Sequence, residues 1–583
     1  MVASTPDSAA TEVGSIDSRN QAAVDHTPAP ESVLDEKNTV HEQVGKRPDG
    51  NVGGDEEVKN NTETDEDDRV EYPVAWKLVL ITVALCLSVF CVALDNTIIA
   101  TAIPRITDHF KAIEDIGWYG AAYFLTTSAV QLIYGKFYTF YSIKRVYLFA
   151  IFLFELGSVV CGATPTSIGL IIGRAIAGLG AAGIFSGALL IVSRSVPLRQ
   201  RPVYMSIITA FYGLASVAGP LIGGAFADKV TWRWCFYINI PFGGVTAFFI
   251  IVFLHLPNTQ RQQKTSVKEQ LASFDLEGTS VFIPGIVSLL LALQWGGGQY
   301  LWSNGRIIGL FVVFAVLIII FIGIQIWKKD QATVPPRIFM DRTVWSCATF
   351  AISIGGSFFI MVYYLPIWFQ SIQGSSAVNS GIKSLPLILG FVLFTIISGG
   401  FVSTFGYYTP FMISSAIVMA IGAGLLSTLE IESSRGQWIG YQCLFGFGVG
   451  LGLQQTMVAV QAALKPADVA IGSAIIVFAQ TLGGALFICV AQNVFQNKLI
   501  ETVAKANIPG LQPEDILAVG ATQIRSTFHG DKLAVALHAY NTAITNCFYV
   551  SIAISILALI GAIFVPWISV KTKKIKMDVE QAK

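Results

Sequence analysis

Charge is what this sequence has least of. Only 13% of its 583 residues are Asp, Glu, Lys or Arg, about half the ~25% of a soluble domain. That scarcity excludes an ordinary water-soluble globule. The charges that exist sum to zero, so there is no polybasic face to track nucleic acid. Six scattered histidines form no cluster, and neither a phosphate-binding glycine loop nor a nucleophile constellation is present. Enzymatic activity, a metal site and a bound cofactor are therefore not expected. The eight cysteines all fall within apolar runs rather than at disulfide or metal-ligand spacing, and read as small buried hydrophobes.

What is abundant is apolar length. Hydrophobic residues make up 53% of the chain, aromatics 12%, and the mean hydropathy is +0.61. Residues 1–73 are polar and aperiodic, with an acidic run from Asp65 to Asp68, and are expected to be a disordered tail. Met1 opens a polar segment rather than a basic one followed by an apolar core, so no signal peptide is expected. Beyond it, fourteen runs long enough to cross ~30 Å of hydrocarbon recur, near 75–99, 118–138, 144–163, 167–193, 203–227, 235–256, 277–294, 307–327, 344–369, 381–402, 410–429, 437–460, 469–494 and 547–568. Lipid offers backbone groups no partner, and barrel-type alternation is absent, so the spans are helices and the fold is all-α.

An even number of spans puts both termini on one side. Lys136, Lys144, Arg145, Arg194, Arg199 and Arg201, with Lys571, Lys573 and Lys574, fall on that side, which the positive-inside bias makes cytosolic. A long loop over 497–546 then faces outward. Spans four and twelve share Gly-x-Gly, at Gly178/Gly180 and Gly446/Gly448. Eight spans separate them, as two six-helix bundles with two inserted helices require. The expected organisation is a 74–256 bundle, a 257–343 linker carrying the inserted pair, a 344–570 bundle and a basic tail over 571–583.

Against this apolar background three ionisable residues stand out: Asp95, Glu155 and Arg174. A mid-membrane charge costs at least about 2.5–3.5 kcal/mol. At about 1.5 Å per residue all three fall at one depth, near 10 Å from the outer surface. Asp95 and Arg174 either form a structural ion pair that makes insertion tolerable or a proton site, because a carboxylate holds its proton more tightly when desolvated and less tightly beside a guanidinium. Glu155 has no second base in sight and is the better candidate to rest protonated. Uncharged polar and aromatic residues of the second bundle supply a candidate ligand lining: Gln442, Gln454, Gln455, Gln461 and Gln480, with Phe358, Phe359, Tyr363, Tyr364, Trp368 and Phe369.

The fifth span reads "GLASVAGPLIGGAFAD", with Gly213, Gly219, Pro220, Gly223 and Gly224 at close helical spacing; alone, this is a packing face with a bend. Together with "LDNTIIATAIPRI", "GRAIAGLGAAG" and "WRWCFYINIPFGG", it resembles the major facilitator superfamily, specifically its fourteen-helix drug:proton antiporters. "AGPLIGG" looks like that family's antiporter motif. The runs "YYLPIWFQSIQGSSAVNSGIKSLP" and "IPGLQPEDILAVGATQIRSTF" are similar to its fungal branch, which exports toxins and other secondary metabolites. The loop "GKFYTFYSIKR" departs from the pattern. Thr139 stands where the superfamily has an aspartate, so a latch built on that aspartate does not carry over, and Gly135, Lys144 and Arg145 remain to hold the loop.

The resemblance implies alternating access between the two bundles and proton-coupled efflux of a lipophilic or amphipathic small molecule. It implies the proton gradient as the energy source, a monomer in the plasma membrane, and substrate, protons and bilayer as partners. A vacuolar or vesicular membrane fits the sequence equally. An importer on the same scaffold, a proton symporter for a siderophore or nutrient, is the alternative; the fifth-helix motif favours export.

Overall fold

The apolar runs do form helices. The computed structural model describes residues 73–110, 116–255, 275–297, 300–506, 508 and 524–571. Residues 1–72, the whole stretch 256–274 and the last twelve residues lie outside the described part, as does most of the expected external loop string. The first bundle comprises α1 (Ala75–Phe110), α2 (Ile116–Phe140), α3 (Ile143–Ala163), α4 (Ser167–Ser195), α5 (Arg201–Lys229) and α6 (Asn239–Phe253). The inserted pair is α7 (Leu276–Trp295) and α8 (Gly305–Lys328). The second bundle comprises α9 (Arg342–Ser371), α10 (Leu385–Phe405), α11 (Thr409–Ser427), α12 (Arg435–Gly452), α13 (Val469–Ala506) and α14 (Asp531–Phe564). Thirteen of these, or their extensions through a short neighbouring helix, are long and apolar enough to span a bilayer. The exception, α2, carries Tyr, Thr and Gln among its aliphatic residues and packs on α4, α13 and α7.

Two differences from the sequence expectation concern helix ends. The first span continues to Phe110, beyond the expected 99. The expected loop over 497–546 is largely helix among its described residues: α13 runs on to Ala506 and α14 begins at Asp531. Hydropathy reports where lipid ends, whereas these helices continue on other support. Glu501 bridges Lys498 and Lys505 at 2.7 and 2.6 Å on α13, and Ala536, Leu537, Tyr540 and Ala543 of α14 stay buried.

The bundles meet along two seams, α2 with α13 and α5 with α10. The inserted pair covers only the first seam. Phe282 of α7 packs on Phe478 of α13 at 5.5 Å and Trp118 of α2 on Trp295 at 6.1 Å, while α8 turns Val312, Val316, Ile319 and Ile326 outward. The chain returns from the pair to α9 through a polar clasp. Asp275 caps α7 by accepting from the Gly278 amide at 3.0 Å, and it also accepts from Gln325 Nε2 at 2.7 Å and the Thr333 amide at 2.9 Å. Arg337, in the same connection, forks onto Asp468 at the head of α13 with bonds of 2.8 and 3.0 Å.

Candidate functional site

The two bundles touch towards both ends of their interface. At the basic end, where the chain enters α1 and leaves α14, Arg194 donates to the Pro466 carbonyl at 2.9 Å, and Ser403 donates to the Arg199 carbonyl at 2.6 Å. A Cβ built on Gly135 would lie 2.9 Å from Ala474 of α13, so only glycine lets α2 approach this closely. Thr139 donates to the Gly135 carbonyl of its own helix at 2.8 Å and spans no seam. Lys144 caps α6 through the Ile251 carbonyl at 2.7 Å, favourable at a helix C-terminus, while Arg145 is exposed. Towards the opposite end Pro220 of α5 approaches Gly381 and Gly224 approaches Val378, while midway along α5 Gly213, next to the cavity residue Tyr212, admits the Phe391 ring of α10, which a Cβ would meet at 2.5 Å.

Between these contacts lies a cavity of about 60 Å³, below the ~300–1,000 Å³ of a ligand-filled pocket. It is walled by Asn96 of α1, Tyr123, Thr127 and Gln131 of α2, Phe185 of α4, Tyr212 of α5, Phe359 of α9 and Gln480 and Thr481 of α13. A smaller void beside it shares Phe185 and Gln480 and adds Thr209, Gln454 and Met457. Thr209 donates to Gln454 Oε1 at 2.5 Å across the bundles.

Directly behind the wall sits the ion pair. Asp95 is fully buried and accepts from Arg174 Nη1 and, at 3.3 Å, from Asn239 Nδ2 of α6. Arg174 donates through Nε to the Tyr119 carbonyl at 2.8 Å and lies over the Tyr123 ring, 4.4 Å from its centroid. Asn239 Nδ2 also reaches Ser158 Oγ of α3 at 3.1 Å. One turn back along α3, the Glu155 carboxylate is buried with neither oxygen hydrogen-bonded. It faces Gly243, one turn along α6 from Asn239, where any Cβ would collide with it.

The antiporter-like stretch of α5 is a close-approach surface on two sides. At Gly219 a Cβ would meet Thr97 of α1 at 2.0 Å and the Ile98 amide at 2.9 Å. Gly213 faces the other bundle, Gly223 is buried, and Gly224 stands 3.5 Å, by the same construction, from Val378.

The candidate ligand residues separate into two groups. Gln454, Gln480 and Phe359 line the cavities. The others lie elsewhere. Gln442 donates to the Lys383 carbonyl, Gln455 to Ser398, Tyr364 to Gln492 at 2.9 Å and Trp368 to Asn541 at 2.8 Å, all within the second bundle. Gln461, Phe358 and Phe369 are buried away from both cavities, and Tyr363 is half exposed. Apolar helices give few sequence clues to which face meets the other bundle. Asn239, Gln131 and Asn96 belong to this region without any motif in the sequence to mark them. The available signal was a lone amide inside an apolar span, the same signal that selected the glutamines of the second bundle.

Two helical bundles closing on a central cavity, with buried ionisable groups behind its wall, define a polytopic membrane transporter. The chain belongs to the Major Facilitator Superfamily, whose model matches residues 85–488. It is 54% identical over 515 residues to the MFS-type transporter astH of Aspergillus oryzae, covering 88% of this chain and 91% of that protein. It is 53% identical to the efflux pump roqT of Penicillium rubens, covering 87% and 94%, and 54% identical to the MFS-type efflux pump MFS1 of Trichophyton rubrum, covering 89% and 97%. Among solved structures it shares its fold with the proton:xylose symporter XylE, with a TM-score of 0.55 at 14% identity over 84% of this chain and 96% of that one.

Proposed function

We propose that this transporter exports lipophilic or amphipathic small molecules in exchange for protons, from a plasma membrane in which both termini are cytosolic. The observation that carries the reading is the placement of the Asp95–Arg174 pair against the cavity wall, with Tyr123 between guanidinium and cavity. The names of the relatives, efflux pumps of fungi, support the direction.

The physical argument is one of competition. While Asp95 is ionised, it holds Arg174, and Arg174 holds the Tyr119 carbonyl and the Tyr123 ring. Protonation removes the charge that balances the guanidinium, and a buried unpaired guanidinium is costly. The pair therefore has two arrangements, and a change of arrangement reshapes the wall through Tyr123. A substrate that favours one wall shape and a proton that favours the other bind antagonistically, which is the requirement for exchange. Glu155, buried beside the pair without a hydrogen-bond donor, is suited to pass or store the proton.

The test is transport in sealed vesicles. Export is expected to follow an imposed proton gradient, to collapse with a protonophore and to be indifferent to ATP. Export sustained by ATP without a gradient would contradict the reading.

A further inference from the structure

The cavity walls specify the electrical character of the cargo. Among the described residues, none that lines either cavity is Asp, Glu, Lys, Arg or His. Behind the wall, across the Tyr123 ring, lies the Arg174 guanidinium. It is either balanced by Asp95 or, when Asp95 is protonated, unbalanced and positive. Glu155 lies beyond the pair, against α6, and reaches neither cavity. A cation entering here loses its hydration and meets no counter-charge in either state.

What the walls offer instead is amide groups. Gln131, which lines the larger cavity, is 1% exposed; its Nε2 donates to the Ala182 carbonyl at 3.3 Å, and its Oε1 is buried and unpartnered among the described residues. Asn96 Oδ1 is likewise buried without a donor. Across the seam Gln454 is 3% exposed; its Oε1 is occupied by Thr209 and its Nε2 is unpartnered. Buried polar atoms are normally satisfied, so the first bundle presents acceptors awaiting a donor and the second a donor awaiting an acceptor. Tyr123, Phe185, Tyr212 and Phe359 supply aromatic surface around them.

We infer that the cargo is an uncharged aromatic molecule carrying both an N–H or O–H donor and a carbonyl acceptor, and that Gln131 selects it by accepting from that donor. The inference rests on the efflux reading and adds the chemical class.

Three fluorescent tricyclic compounds test it: acridone, neutral with one N–H and one C=O; N-methylacridone, neutral without the N–H; and 10-methylacridinium, a permanent cation. Export is measured from cells expressing the chain, normalised to surface abundance. Acridone is expected to leave about 10-fold faster than N-methylacridone, the effect of one unsatisfied buried acceptor, with 10-methylacridinium retained. Gln131→Leu should bring the two neutral compounds to within about 2-fold of each other, since an ordinary hydrogen bond is the difference between them. Gln131→Glu should admit the cation, which keeps the test decisive if the leucine variant is poorly expressed. Export of the cation at the acridone rate would overturn the class while leaving efflux intact. Inward accumulation of acridone would overturn the direction while leaving the class. Retention of all three would overturn the class, and export itself would then be judged by the gradient experiment. Equal discrimination by the wild type and Gln131→Leu would overturn the role of Gln131.

Discussion

Tyr123 and Arg174 join the ion pair to the cavity: the guanidinium lies 4.4 Å from the centre of a ring whose other contacts form the cavity wall. The ring, rather than its hydroxyl, makes the connection: the hydroxyl reaches the Val92 carbonyl, at 3.4 Å, and the Asn96 side chain, neither of which belongs to the ion pair. Tyr123→Phe is therefore expected to export at near the wild-type rate. Tyr123→Leu removes a desolvated cation–π contact of about 2 kcal/mol and is expected to slow proton-driven export by about 10-fold or more at unchanged abundance. Equal rates in the two variants, measured in vesicles under the same gradient, would separate the pair from the wall.

The α1–α5 contact leaves no room at Gly219. A leucine there would press on Thr97 and on the Ile98 amide, and overpacking of this kind typically costs about 1–3 kcal/mol. Gly219→Leu is expected to reach the membrane and fail to transport, because the helices that must slide are wedged. Surface labelling together with efflux measures both, and unchanged efflux would show that α5 moves as a rigid unit with α1.

Asp275 makes the linker clasp sensitive to acid. Burial pushes its carboxyl up, but the bonds from Gln325, the Thr333 and Gly278 amides and Lys328 outweigh it and hold the carboxyl below its ordinary value. A carboxyl depressed in the folded state stabilises above the unfolded pKa, about 3.9, and that stability is lost as pH falls towards the folded value. The Tm of the detergent-solubilised protein is expected to fall below about pH 4. Asp275→Ala should be less stable at neutral pH by about 1–3 kcal/mol, from its orphaned donors, and should lose less on acidification. Parallel Tm–pH curves for the two proteins would contradict the clasp.

Glu155 has no hydrogen bond to lose among the described residues, so Glu155→Gln is expected to leave abundance unchanged. If Glu155 handles the proton, the same variant changes the pH dependence of efflux. A pH–rate profile superimposable on the wild type would remove it from the pathway.

The legible parts of this protein were those that hydrocarbon penalises. Asp95 and Arg174 could be paired from sequence because each is costly alone in an apolar run, and the structure brings them together. Span positions followed from the same penalty. Asn239, which donates to the other oxygen of Asp95, is a lone neutral amide at the head of an apolar helix, and that signal does not say which partner it meets. Tyr364 and Trp368 drew notice as aromatics, yet each turns its polar atom to a partner inside its own bundle. Which face of an apolar helix meets the other bundle depends on packing between distant segments, and composition carries little of that information. The far ends of α13 and α14 escaped for a different reason: helices supported by salt bridges and packing need not stop where the lipid does.

The proton-coupling account turns on Asp95, and the double replacement Asp95→Asn with Arg174→Gln examines it most directly. Asp95→Asn alone strands a buried guanidinium, at about 3–5 kcal/mol, whereas the double variant removes both charges and the penalty with them. Proton-driven efflux of the double variant is measured at matched surface abundance. The account predicts a stable protein at the membrane that has lost its response to the proton gradient. Restored gradient-driven efflux would contradict it, because the carboxylate would then have served only to balance the arginine.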